Sequence, residues 1–499
     1  MPYALSFLLL LFTVSASAQF DHPDFLGAGH DHNVTVTTSS DATVAGAATV
    51  DGFGVQNQEQ LTAASRFLAQ ATFGADYATI DMTAAMGYAA WLNEQFALPM
   101  VSAAEEMRRI GYQYPEEDED GEGEIDLSSF RFRSAWMSNA LTSPDLLRQR
   151  MAFALSQILV VNQSGDLFED FGLYAGNYYD LLARNSFGQY QPLLLDVTLS
   201  PTMGLFLSHY NNRKANPELN IQPYENYARE IMQLFSIGLW ELQPNGLRKL
   251  DAQGRPIPTY TNNDIKEFAQ VFTGLTNGVG NGFSDDDIDP ANQLSTGVPM
   301  RMYDDYHDTS SKVLLNGTVL PGGQAGMMDI EQTIGHLSTH SNTAPFICKQ
   351  LIQRFTTSNP TPRYVMDVAA VFNPTAPNNF RDVLRAILLH PEARSCNPNS
   401  QPEFGKLREP MHRVMNMMRN FPLRPEDDGS YLFELGCLQE TLGQYPLNAP
   451  SVFNFYRPDY QPQGAIGQRQ LVAPEFQILN STNAIGIIND VNTRLVYGN

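Results

Sequence analysis

Two groups of residues in this chain have the types and spacing to do chemistry. Within Pro223–Glu241, PYENYAREIMQLFSIGLWE, the residues Glu225, Asn226, Arg229 and Glu230 fall inside six positions of a chain that is only 17% charged. Further along, Tyr306-His307-Asp308 and Lys312 stand in a polar stretch just before an apolar run. Glu225, Glu230, His307 and Asp308 are candidate general acids and bases, whereas Asn226, Arg229 and Lys312 are candidate binders of a carboxylate, sulfate or other oxyanion. An arginine buried between two glutamates holds both ionised, which suits binding better than proton transfer. The competing reading is structural: an ion-paired, solvated helix face and a polar network under a hairpin.

Other motifs carry less. Glu225 and Glu230 point about 140° apart around a helix, so they address different neighbours and not one glycosidic bond. His336 and His340 stand i,i+4, yet Leu337-Ser338-Thr339 between them is no HExxH motif. Asp285-Asp286-Asp287-Ile288-Asp289 is rich in oxygen ligands without the glycine and terminal glutamate of an EF-hand, and His30-Asp31-His32 lies in a tail-like stretch. There is no GxSxG, P-loop or dinucleotide fingerprint, so no metal site is assigned and the cofactor stays unknown. Phe453, Phe455, Tyr456 and Tyr460 could stack sugar rings or pack a C-terminal loop on the core. Lys406, Arg408 and Glu409 either extend the central polar network or start a helix.

The elements that must position these groups are helices. Read as a helix, 223–241 puts Tyr224, Tyr227, Ala228, Ile231, Leu234 and Phe235 on one face and Glu225, Asn226, Arg229, Glu230 and Gln233 on the other. Pro223 suits its first turn and Gly238 a left-handed cap. Glu225–Arg229 and Asn226–Glu230 are spaced i,i+4. Pro144–Val161 reads as one long helix with a buried second half, and 259–273, 329–340, 345–357, 362–372, 379–390 and 406–420 read as further helices. Asn316-Gly317 between apolar arms predicts a type I′ hairpin over 313–320. The fold class is mostly α, a large multi-helix domain over 59–499 with a small β-hairpin insertion and an acidic loop at 115–126. No repeat of fixed period is present.

Length and charge bound the function. A chain of 499 residues with a net charge of −23 is a poor partner for nucleic acid or an anionic membrane. The apolar run 4–14 followed by Ala16-Ser17-Ala18 predicts a signal peptide over 1–18, then a flexible linker over 19–58. The mature protein is expected to be exported, periplasmic or extracellular, with no membrane span. Cys348 lies on an apolar helix face and reads as buried and free; Cys396 and Cys437 fall in loop-like surroundings and could pair.

Several strings together carry a resemblance: RFLAQATFG (66–74), LRQRMAFALSQILVV (147–161), ENYAREIMQLFSIGL (225–239), YTNNDIKEFAQVFTGLT (260–276), GKLREP (405–410) and NAPSVFNFYRPDY (448–460). With YYDLLARNSFGQYQPLLLDVTLSPTMGLFLSH (178–209) and YHDTSSKVLLNG (306–317), they resemble the bacterial family of domain of unknown function 1800, in order, from about residue 59 to about 480. The resemblance implies an exported helical protein, encoded beside a sulfatase-like partner, with no catalytic residues to carry over. Family members continue past a segment like 473–480 into further helices, which implies a short member or an incomplete chain at Asn499. Two functions follow. One is an enzyme or binding protein acting on an anionic or carbohydrate-like polymer through the Glu/Arg/Glu helix and the His-Asp loop. The other is a non-catalytic assembly module working with the sulfatase-like protein. Enzyme status is open.

Overall fold

Apolar residues at helical spacing, bounded by Pro, Asn and Gly, dominate this sequence, and helices follow from them. The computed structural model describes residues 55–113, 127–162, 172–279, 282–283, 297–395, 402–420 and 442–492. The signal peptide, most of the linker, the acidic loop, Asp285–Asp289, Cys396 and Cys437 lie outside the described residues. Among the described residues there are 19 α-helices and two small antiparallel strand pairs. The fold is mostly α.

The first half comprises α1 (Val55–Ala71), α2 (Tyr77–Met86), α3 (Tyr88–Ala97), α4 (Ala103–Gln113), α5 (Ser129–Thr142), α6 (Leu146–Ser156) and α7 (Gly172–Asn185). Helix α7 packs against α4, α5 and α6. It also caps α4, because Asp180 accepts the amide hydrogens of Ala103 (2.7 Å) and Ala104 (3.2 Å) at that helix start. Next come α8 (Tyr190–Leu199), α9 (Pro201–Phe206), α10 (Asn226–Gln233) and α11 (Asn262–Val271). Strand β1 (Leu275–Thr276) pairs with β2 (Arg301–Met302), and β3 (Lys312–Val313) with β4 (Val319–Leu320). The chain continues through α12 (Gly326–Thr339), α13 (Thr343–Phe355), α14 (Pro362–Ala369), α15 (Asn379–Leu389), α16 (Pro391–Arg394) and α17 (Pro410–Asn420). Two more, α18 (Ala465–Gln468) and α19 (Ser481–Asn492), follow.

From Leu61 onward the described chain forms one compact unit. Within it α8 packs on α12, α10 on α11, and α13 on α6, α14 and α15. A single apolar cluster runs from Phe67 to Leu447, and a small satellite joins Val160, Ala449, Phe455 and Tyr456. The satellite ties the C-terminal Pro/Phe/Tyr segment to the strand-like exit of α6.

Three expectations need correction. The helix expected over 223–241 runs only from Asn226 to Gln233. Pro223 and Tyr224 precede it, and beyond Gln233 the amides of Phe235 and Ile237 reach back five residues, to Glu230 and Met232, so the coil widens and ends. Gly238 (φ 74) does supply the left-handed exit. The helix expected over 144–161 stops at Ser156, and the chain then turns out to bridge Asn162 to Asn448. In the hairpin, Asn316 (φ 58) and Gly317 (φ 73) take the positive φ that Asn-Gly favours. The pairing of Val313 with Val319 leaves a three-residue tip, Leu315–Gly317, where two were expected.

Candidate functional site

Helix α10 has one apolar face, and that face is well anchored. Tyr227, Ala228, Ile231 and Phe235 are fully buried, and the Tyr227 ring stacks on His209 at 3.9 Å. Tyr224 precedes the helix and is exposed. On the other face, Glu225 and Arg229 form a surface pair at 3.3 Å, 41% and 40% exposed. The Asn226–Glu230 pair does not form, since Asn226 turns to Ser208 Oγ at 3.5 Å. Glu230 is buried instead of solvated, and its Oε2 has no partner. Burial pushes its carboxyl up to about 7, with Arg229 pulling the other way. Next to it, the Tyr260 hydroxyl donates to Gln233 Oε1 at 2.7 Å.

His307 and Lys312 do meet, on a carboxylate the sequence reading missed. Asp329 Oδ2 accepts Lys312 Nζ at 2.7 Å and faces His307 Nε2 at 3.2 Å, while Gln324 Nε2 donates to Asp329 Oδ1 at 2.6 Å. Lys312 spends its remaining hydrogens on the carbonyls of Asp308 (2.5 Å) and Ser310 (3.0 Å). His307 Nδ1 lies 2.9 Å from the Thr273 carbonyl, so both ring nitrogens face oxygen acceptors. Asp308 contributes its backbone here; its side chain turns outward to Ser310. His307, Lys312 and Asp329 are buried to within 1%. This knot ties the β3 loop and the end of α11 to α12. No hydrogen bond or ion pair among the described residues joins it to Glu225, Asn226, Arg229 or Glu230.

His336 and His340 lie half-buried at the end of α12. His340 Nδ1 accepts the Asn342 amide at 3.2 Å, and burial pushes both imidazoles down. Among the described residues no group of three His, Cys, Asp or Glu is arranged to hold an ion. Cys348 is buried and free, as its helix face implied.

Three buried polar atoms without partners, Gln350 Nε2, Arg354 Nε and Asn454 Nδ2, belong to residues lining a cleft of about 330 Å³. Helix α13 supplies one wall: Phe346, Lys349, Gln350, Gln353 and Arg354 recur at i, i+3, i+4, i+7 and i+8 and line it, while Ile347, Cys348, Leu351 and Ile352 face the core. The loop after α10 supplies Trp240 and Arg248, whose guanidinium lies 5.7 Å from the indole. Asn342 holds that loop in place, donating to the carbonyls of Ile237 (2.9 Å) and Trp240 (2.8 Å) and accepting from Leu242 (2.8 Å). The C-terminal segment adds Phe453, Asn454, Tyr456 and Arg457. Two backbone positions keep the walls close. A Cβ on Gly238 would lie 2.6 Å from the Phe346 ring, and one on Gly246 2.9 Å from Val365.

Residues 66–499 match the family described as protein of unknown function, DUF1800. The chain belongs to the DUF1800 family. No curated protein and no solved structure matches it. The match spans the cleft, the His307 knot and α10, so all three are parts of the DUF1800 fold.

Behind the DUF1800 cleft, its floor continues into a buried ion cluster. Lys406 Nζ lies 2.8 Å from Glu475 and 3.8 Å from Glu409, and it donates to the carbonyls of Gln353 (2.9 Å) and Arg354 (3.0 Å). Glu409 also accepts from Gln157 and, at 2.8 Å, from Gln444. Arg150 donates to the Arg354 carbonyl, and the Arg354 guanidinium lies 4.8 Å from the Tyr456 ring. Burial pushes the Glu409 carboxyl up, but Lys406, Arg150 and Arg354 outweigh it and hold it below its ordinary range. Burial and then Arg150, Arg408 and Lys406 push His412 well down, so its imidazole is neutral. Among the described residues, Arg150, Arg354 and Lys406 thus act on Glu409, Lys406 also pairs with Glu475, and Arg408 adds a further positive charge beside Arg150. Lys406, Arg408 and Glu409 were noticed in the sequence; their convergence with Arg150 and Arg354 was not visible there.

Proposed function

We propose that this DUF1800 protein is an exported ligand-binding protein whose cleft takes an anionic, carbohydrate-like ligand. The observation that carries the reading is the lining. Arg248, Lys349, Arg354 and Arg457 face the cavity with Asp459 as the one carboxylate, already 3.3 Å from Arg457. Such a cation excess stands out in a chain of net charge −23. Trp240 and Phe453 supply flat apolar surface beside it, as ring-shaped ligands require. Export rests on the apolar run and small-residue site at the N-terminus. The anion-binding role expected of α10 passes to α13, with α10 contributing Gln233 and Leu234 to the edge of the cleft.

The test is calorimetric titration of the purified protein with uronic-acid and sulfated oligosaccharides, with a neutral oligosaccharide as control. Charged ligands should bind, and Trp240→Ala or Phe453→Ala should weaken them about ten-fold, the scale of one lost stacking contact. Equal binding of the neutral sugar, or no response to either substitution, would remove the reading. A second reading, docking of a partner protein such as the sulfatase-like neighbour, is favoured by one feature. Leu239, Leu247 and Leu250 stand exposed (47%, 49% and 57%) on the loop that carries Trp240. Co-purification lost in Leu247→Ser with Leu250→Ser, while sugar binding is absent, would select it.

A further inference from the structure

The inner wall of the cleft is more specific than its overall charge. Lys349, Gln350 and Arg354 share one face of α13, and Asn454 (φ 66) reaches the same cavity from the turn after Phe453. Gln350, Arg354 and Asn454 are 8%, 2% and 6% exposed. Gln350 Nε2, Arg354 Nε and Asn454 Nδ2 have no hydrogen-bond partner. The half-buried Lys349 ammonium makes no hydrogen bond or ion pair among the described residues and feels Asp459 only as a more distant opposite charge. All four groups are N–H donors. A buried donor left unpaired is costly, so a wall of them is complementary to an acceptor that arrives from outside. Behind the wall, Arg354 acts on Glu409 together with Arg150 and Lys406, with Arg408 beside Arg150, so positive charge backs the cavity.

We propose that this wall is an oxyanion subsite, built for the tetrahedral head of a sulfate or phosphate ester, with the ring that bears it lying against Trp240 and Phe453. The proposal rests on the cleft being the ligand site. A carboxylate is planar, offers about four lone-pair sites and is satisfied by one guanidinium fork. Here an ammonium, two carboxamides and a guanidinium approach from two sides, α13 and the Asn454 turn. They bring more hydrogens than one plane can accept, and the terminal oxygens of a tetrahedral ester spread to meet them. Neither carboxamide breaks an existing bond when it rotates its amide into the cavity.

The experiment is titration at constant ionic strength with five probes: inorganic sulfate, inorganic phosphate, glucose 6-sulfate, glucose 6-phosphate and glucuronate. One ester, with its inorganic anion as competitor, should bind at least about ten-fold tighter than glucuronate, and the better arm tells sulfate from phosphate. Lys349→Gln and Asn454→Gly, which keeps the positive φ, should each weaken that ester about ten-fold with the melting temperature unchanged. Phe453→Ala should weaken the ester and leave the inorganic anion as it was. Glucuronate binding as tightly as the esters, or esters indifferent to both wall substitutions, would overturn the subsite while leaving the cleft as the ligand site. Absence of binding by any sugar, including the oligosaccharides above, would overturn both.

Discussion

The His307 knot and the wall of the cleft are both polar and both largely buried, and they differ in whether their hydrogen bonds are complete. At the knot, Lys312 has three acceptors, Asp329 accepts from Lys312 and Gln324, and both ring nitrogens of His307 lie against oxygens of Thr273 and Asp329. On the wall, Lys349, Gln350 and Asn454 have none among the described residues. A saturated network has no valence left for a ligand and serves to lock loops together. An unsaturated one that borders a cleft leaves donors open to a ligand that completes it. Under the proposed function the His307 knot serves as scaffold, and a face of α13 that carries no motif supplies the site.

The sharpest way to break that contrast is to remove one lysine from each region. Lys312→Met strands the Asp329 carboxylate beside His307 in the interior and should cost about 3–5 kcal/mol, seen as a large fall in the denaturation midpoint. Lys349→Met removes a half-buried amine whose ionisation burial and Arg248 already disfavour. It should change stability by less than about 1 kcal/mol. Equal losses in the two variants would erase the distinction.

Glu230 gives the next effect, because it is an unsatisfied acceptor on the scaffold side. Its folded carboxyl titrates at about 7 against an ordinary 4.5, chiefly through burial. Between those two values the unfolded chain has released a proton that the folded chain retains. Stability from this group is therefore full below about pH 4.5 and falls as pH rises, levelling off above about 7. The loss is on the order of 2–3 kcal/mol. Denaturation of wild type and Glu230→Gln across pH 4–8 isolates it: the difference between the two should change with pH in that window. A constant difference would show that the carboxyl is better solvated than its burial suggests. The smallest effect belongs to Arg229→Ala. Its i,i+4 pair with Glu225 is two-fifths exposed, and its loss should cost no more than about 0.5 kcal/mol by the same measurement.

The sequence made the helices legible because they depend on local periodicity. Tyr227, Ala228, Ile231 and Phe235 were placed inward by spacing alone, and Asn-Gly placed the hairpin. Element ends were less legible, since after Gln233 the backbone bonds widen to five-residue spacing and after Ser156 they tighten to three, and residue type announces neither change. The site was mostly illegible for a related reason. Lys349, Gln350, Gln353 and Arg354 read like any solvated helix face until Trp240 and the Phe453–Tyr456 turn are folded over them. Asp329, the anchor of the knot, lies on a different helix from His307 and Lys312, and no spacing rule links them. The aromatic run at 453–460 was the one visible pointer. Phe453 does line the cleft, Tyr456 joins its wall to the satellite core, and Phe455 packs in that core alone.

The cationic cleft also has a kinetic consequence. It is a positive recess in a chain of net charge −23. The anionic ligand proposed above would meet repulsion at long range and attraction only at the mouth. At low ionic strength the repulsion reaches furthest, roughly 30 Å at 0.01 M, and association is slowed. At about 0.1 M the Debye length shrinks to about 10 Å and only the local field of Arg248 and Lys349 is felt. For the proposed ligand, moderate salt should therefore speed capture while high salt loosens the bound state, giving an optimum at intermediate ionic strength.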